Sequence, residues 1–559
     1  MNAPPARRLL ILLLLALAVL VCFLPFSNKA FHIDDPLFLW TAQHIAQHPL
    51  DPYGFSVVWY ATETPIVEVT KNPPLAAYYA AAAGRIFGWS ERALHLAFLL
   101  PALIVVLGTY LLAERFTRLA WLAALLTLFA PGFIVSGTGV MCDVLMLAFW
   151  MLAVLFWLRG EEAGNPAWLF LAVLCAAASA LTKYFGVAVL PLLAAFSLLR
   201  HRRWRNSLLW LALPALLLAL YQYATLRRYG RGLFSDALLY ASLHNRGHEL
   251  GAAAKFILGL SFSGGCAFFI LLFAPLAWRW RGLALAAGAG TIAAALVCRG
   301  IISVDAPQAA ANRASFCLQL AFFAFGGALL LALACGAWWR QRSEPLVTLL
   351  VLWLLGTFVF AAFLNWTMNA RSILPLIPSA AILLAKRLGD RLDSASHLAL
   401  PRIALPLALT AAAGAWAACA DFQLANAGRT AAETLSQQTR VTGAGVFFQG
   451  HWGFQYYMQR AGAVPADKRK TLFRSGDILL VPENTTNSFG PPDGFVFADA
   501  QILNFPVAGR LATMSQPRGA GFYASVWGPL PFAIGEVPPE RYLVARLRAV
   551  SDSPPNLRP

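Results

Sequence analysis

The chain alternates long apolar runs with short polar breaks. The first run extends from Leu9 to about Pro25, directly after Arg7-Arg8. Others follow at roughly 93–113, 119–137, 140–158, 167–182, 184–199, 207–224, 254–278, 283–302, 316–338, 346–364, 372–388 and 402–419. Each approaches the ~20 residues that an α-helix needs to cross a bilayer. The pattern predicts an all-α polytopic membrane protein with about thirteen transmembrane helices. Alternate breaks carry Arg115/Arg118, Arg159, Arg200 to Arg205, Arg279/Arg281, Arg340/Arg342 and Lys386/Arg387/Arg391/Arg402. Basic residues gather on the cytoplasmic side of membrane proteins, and an odd number of helices keeps these breaks in phase. The stretch Phe23 to Lys29 has no small-x-small cleavage site, so the first run reads as a retained helix with its N-terminus in the cytoplasm.

The breaks on the opposite side are the long ones, at about 27–92, 225–253 and 303–315. In the first, Phe38 to Ala46 fits an amphipathic helix lying at the interface, and Leu75–Phe87 fits a second one after the Pro73-Pro74 breaker. Beyond about residue 420 the pattern shortens. Val441–Gln449 and Asp477–Val481 read as short strands between Gly/Pro turns, and Gly450 to Tyr457 as a helix start. The expected organisation is therefore a membrane domain over 1–420 and a small extracytoplasmic α/β domain over 421–559, unstructured from Pro554 onward.

Composition agrees with the membrane reading. Of 559 residues, 59% are hydrophobic and only 12% charged, with mean hydropathy +0.63, values outside the soluble range. The net charge of +17 would suggest a nucleic-acid partner in a soluble protein; here the Lys and Arg of the short loops set topology, and no nucleic acid is expected. The eight cysteines all lie in or beside apolar runs, so no disulfide framework is expected in the tail.

The few charges at the outer boundary carry the candidate chemistry. A charge at the edge of hydrocarbon is costly unless it is paired, solvated or used. Asp34-Asp35 follows the first helix; adjacent carboxylates there could deprotonate a hydroxyl or hold a divalent cation, or could simply cap the helix that Pro36 begins. Asp143 opens the fourth helix, where the dipole favours an acid and where it could face Asp34-Asp35. Lys71, Lys183 and Arg371 fall on the side that positive-inside proteins keep free of basic residues, which points to an anionic partner such as a phosphate. A metal is not required, although Asp35 and Asp143 could share one. His32, His44, His48 and His451 show no metal-ligand spacing and read as structural. Asn365-Trp-Thr367 and Asn484-Thr-Thr486 match the N-glycosylation triplet, a pattern common by chance.

In order and sidedness, these motifs resemble the GT-C glycosyltransferases that use polyprenyl-phosphate sugars, in the branch of the protein O-mannosyltransferases and lipid A aminoarabinose transferases. The resemblance covers about residues 1–420. Asp34-Asp35 with Phe38 matches the family's Asp-Glu pair and its following aromatic, with Asp35 in place of Glu. Asp143 matches the second acid. Leu181-Thr-Lys-Tyr matches a Leu-Thr-Lys-Gly turn, departing at Tyr184. Arg371-Ser-Ile-Leu-Pro375 and Lys71-Asn-Pro-Pro-Leu75 match two further elements; the aminoarabinose transferases have Glu-Lys where this chain has Lys71-Asn72. The resemblance implies an inverting transferase of the bacterial inner membrane, moving a hexosyl or pentosyl group from a lipid-phosphate donor to a lipid, glycan or protein hydroxyl. Asp34 would be the base, with Asp35 and Asp143 beside it, and Lys71, Lys183 and Arg371 would bind the phosphate.

Two other classes compete. A transporter or flippase of an anionic or lipid-linked substrate would also carry intramembrane charges. The chain lacks repeated halves, however, and its charges fall at one membrane edge rather than the midplane. A non-catalytic envelope scaffold would leave the outer basic residues without a role.

Overall fold

All of the apolar runs are helical in the computed structural model, which describes residues 5–201, 206–247, 250–304, 310–392, 399–440 and 444–550. Among the described residues, nine helices are long and apolar enough to cross a membrane, or ten if the bent pair Ala120–Phe129 and Pro131–Gly137 counts as one span. The expected count of thirteen is not borne out on this measure. Pro166–Thr182 and Ala252–Cys266 are apolar but short, and the 372–388 run is split into Ala370–Ile373 and Leu376–Leu392. Local signals set these limits. Asn165 caps the helix Pro166–Thr182 by accepting from Ala167 N at 2.9 Å, and Ser90 caps Glu91–Ala113 through Ala93 N at 3.2 Å. Gly88, at φ +89°, ends Leu75–Phe87 in a conformation that other residues resist.

The two ends of the bundle differ in chemistry, as the alternation of basic breaks predicts. At one end Arg8 pairs with Glu114 at 2.9 Å, Arg115 with Glu162, and His201 Nε2 lies 2.5 Å from Glu161. Arg387 Nε donates to the carbonyl of Ala277 at 2.6 Å at the same end. Residues 202–205 of that basic side lie outside the described residues. The opposite end carries the first long connection, and both amphipathic helices expected there are present as Asp35–Gln47 and Leu75–Phe87, packed on each other. A two-stranded hairpin, Ser56–Val58 with Glu63–Pro65, lies between them.

The last helix runs unbroken from Ala399 to Arg440, through the expected boundary. Beyond it, five strands form one sheet in the order Val464–Pro465, Val446–Phe448, Ile478–Pro482, Glu540–Ala549, Phe495–Phe505, the first three parallel and the last two pairings antiparallel. The helix Trp452–Arg460 packs on the long helix and on Asp35–Gln47. The predicted strands and helix start are found, except that 441–443 and the stretch from Pro554 lie outside the described residues. Between its two longest strands the chain leaves the sheet. Leu511, Ala512, Met514, Phe522, Leu530 and Phe532 are buried in the core of the helical bundle itself.

Two features had no counterpart in the sequence reading. Cys298 and Cys317 form a disulfide joining Trp280–Cys298 to the long helix Ala310–Gln341. That long helix also crosses Ala252–Cys266 at a glycine seam. A Cβ on Gly264 would sit 2.0 Å from the Phe323 carbonyl, and one on Gly327 2.2 Å from the Leu260 carbonyl. Between membrane helices such close backbone approach supplies the packing that lipid cannot. Gly264→Val should therefore destabilise by about 1–3 kcal/mol or more by overpacking. Gly288→Ala, mid-helix where a Cβ meets nothing within 4 Å, should not lower the melting temperature in detergent.

Candidate active site

The site is organised by one turn. Pro131 bends the third apolar run by 62°, so the chain leaves it early and enters Cys142–Ala163 through the short connection 138–141. Successive residues of this turn then meet, one after another, the elements singled out in the sequence. Val140 N donates to Asp35 Oδ1 at 2.8 Å. Met141 Sδ lies 2.9 Å from Arg371 Nη1. Cys142 Sγ is 3.7 Å from Asn72 Oδ1. Asp143 Oδ1 accepts from Lys183 Nζ at 2.5 Å. Asp143 itself is buried at the positive end of its helix, and its Oδ2 has no hydrogen-bond partner.

Asp34 and Arg371 form the second ion pair, Oδ2 to Nη1 at 3.0 Å, across 337 residues of sequence. Asp34 occupies the cap position of Asp35–Gln47 but makes no capping bond, and its side chain is 31% exposed, which leaves it approachable. Arg371 sits in the single turn Ala370–Ile373, opened by Asn369, whose Oδ1 accepts from Ser372 N at 2.8 Å. Its Nε is buried with no hydrogen-bond partner, so the guanidinium retains an unsatisfied donor.

Asp35 differs from its neighbour. It is fully buried and accepts from two backbone N–H groups, His32 N at 2.8 Å and Val140 N. Burial raises its pKa to about 6, while Lys29 and the two backbone donors pull the other way. It ties the first outer connection to the turn. Lys71 is also not drawn into the cluster. It pairs with Asp236 at 2.7 Å and lies 5.5 Å over the Tyr240 ring, so it holds the helix Leu233–Gly247 to the first outer connection. Among the described residues no three His, Cys, Asp or Glu side chains converge on a metal position.

The sequence reading missed the charge pair beneath the site. Lys29 Nζ and Asp421 Oδ2 lie 2.5 Å apart and are almost wholly buried. Lys29 also donates to Thr138 Oγ1 at 3.1 Å, while Asp421 accepts from Thr513 Oγ1 at 2.8 Å and from the Tyr523 hydroxyl at 2.7 Å. Lys29 could have been flagged by the same test that found Lys183, a basic residue on the wrong side of a positive-inside chain. Asp421 carried a weaker signal, an acid at the end of the last apolar run. Nothing marked Tyr523.

With this geometry in place, comparison with known proteins is informative. Residues 71–224 match the family model described as dolichyl-phosphate-mannose-protein mannosyltransferase. The fold is similar to that of ArnT from Cupriavidus metallidurans. In its crystal structure bound to undecaprenyl phosphate, the TM-score is 0.50 at 13% identity, over 86% of this chain and 94% of that one. The apo form of ArnT gives a TM-score of 0.38 at 15% identity over the same shares. No curated protein sequence matches the chain significantly. The protein is thus a multi-pass membrane protein with an ArnT-like fold.

Two outcomes test this arrangement. Asp421→Asn leaves the Lys29 charge buried and unpaired, which should cost about 3–5 kcal/mol, read as a lowered melting temperature. The double change Lys29→Met with Asp421→Leu should cost less than that single. For Asp35, the folded state binds a proton more tightly than the unfolded chain, so its contribution to stability falls as pH rises from about 4 towards about 6. The melting temperature of wild type relative to Asp35→Asn should decline across that window. A flat difference would remove the buried carboxyl from this account.

Proposed function

We propose that this protein is a glycosyltransferase that moves a sugar from a polyprenyl-phosphate donor to an acceptor hydroxyl on the extracytoplasmic face of the membrane. The observation that carries the reading is the pairing of Asp34 with Arg371 beside Asp143 with Lys183, two carboxylates and two cations at one end of an apolar bundle. The matched mannosyltransferase model and ArnT, crystallised with undecaprenyl phosphate, support it.

Arg371 and Lys183 would receive the donor phosphate. A phosphate arriving at Arg371 competes with Asp34 for the guanidinium, so donor binding frees the carboxylate to act as a base. The acceptor oxygen attacks the anomeric carbon from the face opposite the phosphate. Its proton passes to Asp34, the bond from that carbon to the phosphate oxygen breaks, and polyprenyl phosphate leaves with the bonding electrons, stabilised by the two cations. One displacement inverts the anomeric centre. Asp143 fixes Lys183 in place. No step in this sequence uses a divalent metal ion. The acceptor is a lipid, glycan or protein bearing a free hydroxyl.

We place the site outside a bacterial inner membrane, with the N-terminus in the cytoplasm and the tail sheet outside. The basic residues at the opposite end support that orientation, as does the Cys298–Cys317 disulfide beside a long outer connection, since such bonds persist in oxidising compartments.

The test is transfer from a panel of radiolabelled polyprenyl-phosphate sugars, with purified protein in nanodiscs and membrane extract as acceptor. Label should appear in a new product. Asp34→Asn should lower kcat roughly 10²–10⁴-fold as a lost general base, and Arg371→Ala by about 10²–10³-fold as a lost electrostatic stabiliser. Full activity in a correctly inserted Asp34→Asn protein would remove that residue as the base. An intact donor across the panel, with substrate-dependent flux, would make the protein a transporter instead.

A further inference from the structure

The excursion that leaves the tail sheet reaches Arg371. Residues 522–525 run alongside 367–370: Phe522 O accepts from Ala370 N at 2.9 Å, Ser525 N donates to Met368 O at 2.8 Å, and the Thr367 and Ser525 hydroxyls are 3.2 Å apart. Between these contacts the Tyr523 side chain turns in under the site. The Arg371 guanidinium lies 5.5 Å from its ring centroid. The His32 ring meets the same tyrosine edge-on at 5.5 Å. Its hydroxyl is anchored by Asp421, which Lys29 and Thr513 hold in turn. Tyr523 therefore has one fixed position, and it is buried.

Arg371 needs such a support. Its Asp34 partner is a group the proposed reaction calls away, and its Nε has no partner. An aromatic face attracts a guanidinium without using any of its donors, and does so more strongly where water is excluded. A cation held this way keeps its hydrogen-bonding edge turned outward for an anion.

We propose that Tyr523 is a positioning residue of the phosphate site, its ring holding the Arg371 guanidinium in the orientation that receives the phosphate of a polyprenyl-phosphate donor. The C-terminal stretch is then part of the donor side of the reaction centre rather than only an acceptor-selecting appendage. This inference rests on the transferase reading above.

The experiment uses full-length protein in nanodiscs, with undecaprenyl phosphate alone as the binding probe and transfer assayed in parallel. Tyr523→Leu should weaken binding of the probe and raise the donor KM about thirtyfold, the size of a desolvated cation–π contact, with the acceptor KM unchanged. Tyr523→Phe keeps the ring but loses its anchor to Asp421, so it should raise the donor KM by a smaller factor, about two- to threefold. A purely structural tyrosine would lower the melting temperature without separating the two KM values. Should Tyr523→Leu not fold, Tyr523→Phe decides alone: a donor KM equal to wild type overturns the proposal. A rise confined to the acceptor KM overturns it as well. If wild type binds and transfers and both variants match it, only this inference falls. If wild type neither binds the probe nor transfers sugar, the transferase reading fails and takes this inference with it.

Discussion

A charge placed against hydrocarbon must be compensated within a few ångströms, and the turn between the bent helix and Cys142–Ala163 is where this protein meets that demand. Val140, Met141 and Asp143 each engage a charged side chain that comes from a different part of the chain. The turn is held from below by Lys29, which bonds Thr138 while it pairs with Asp421. Remove the bend at Pro131 and the helix would run on through this region, separating the partners. Of the two ion pairs of the site, Asp143–Lys183 starts from the end of this turn, while Asp34 and Arg371 meet beside it.

The two adjacent acids show how environment separates identical side chains. Asp35 is fully buried and accepts one backbone donor on each carboxylate oxygen. Asp34, one residue earlier, remains partly exposed and faces a single cation. The contrast follows from the helix that Pro36 begins: the first residue inside it turns towards the bundle, while the cap residue stays at the rim. Division of labour between neighbouring carboxylates by solvation alone is a general way to place one reactive acid.

Much of this was legible in the sequence, and the limits are physical. Hydropathy and the distribution of Lys and Arg are local signals, so the helical runs, the two interfacial helices and the common end of Asp34, Asp143, Lys183 and Arg371 could be read directly. The pairings within that end could be expected but not assigned. Lys71 belonged to the same motif set, yet it turns to Asp236, because the helix Leu233–Gly247 folds back over the first outer connection. The link of Lys29 to Asp421 spans 392 residues, and the disulfide joins cysteines that look like ordinary apolar positions. Tyr523 lay in a polar tail whose spacing gave no hint that part of it returns to the bundle. The number of spans was also beyond the pattern, since a run of apolar residues does not reveal where a helix breaks.

The excursion from the tail sheet has a consequence for biogenesis. Its apolar residues fill a slot between helices that emerge from the ribosome long before them. While the last part of the chain is still being made, that slot stands open and the carboxylate of Asp421 faces Lys29 without the hydroxyls of Thr513 and Tyr523. The inserted helices alone are thus an unfinished body, and closure of the outer end waits for the final stretch of polypeptide. A chain cut short before that stretch would have every membrane helix and still lack its last wall.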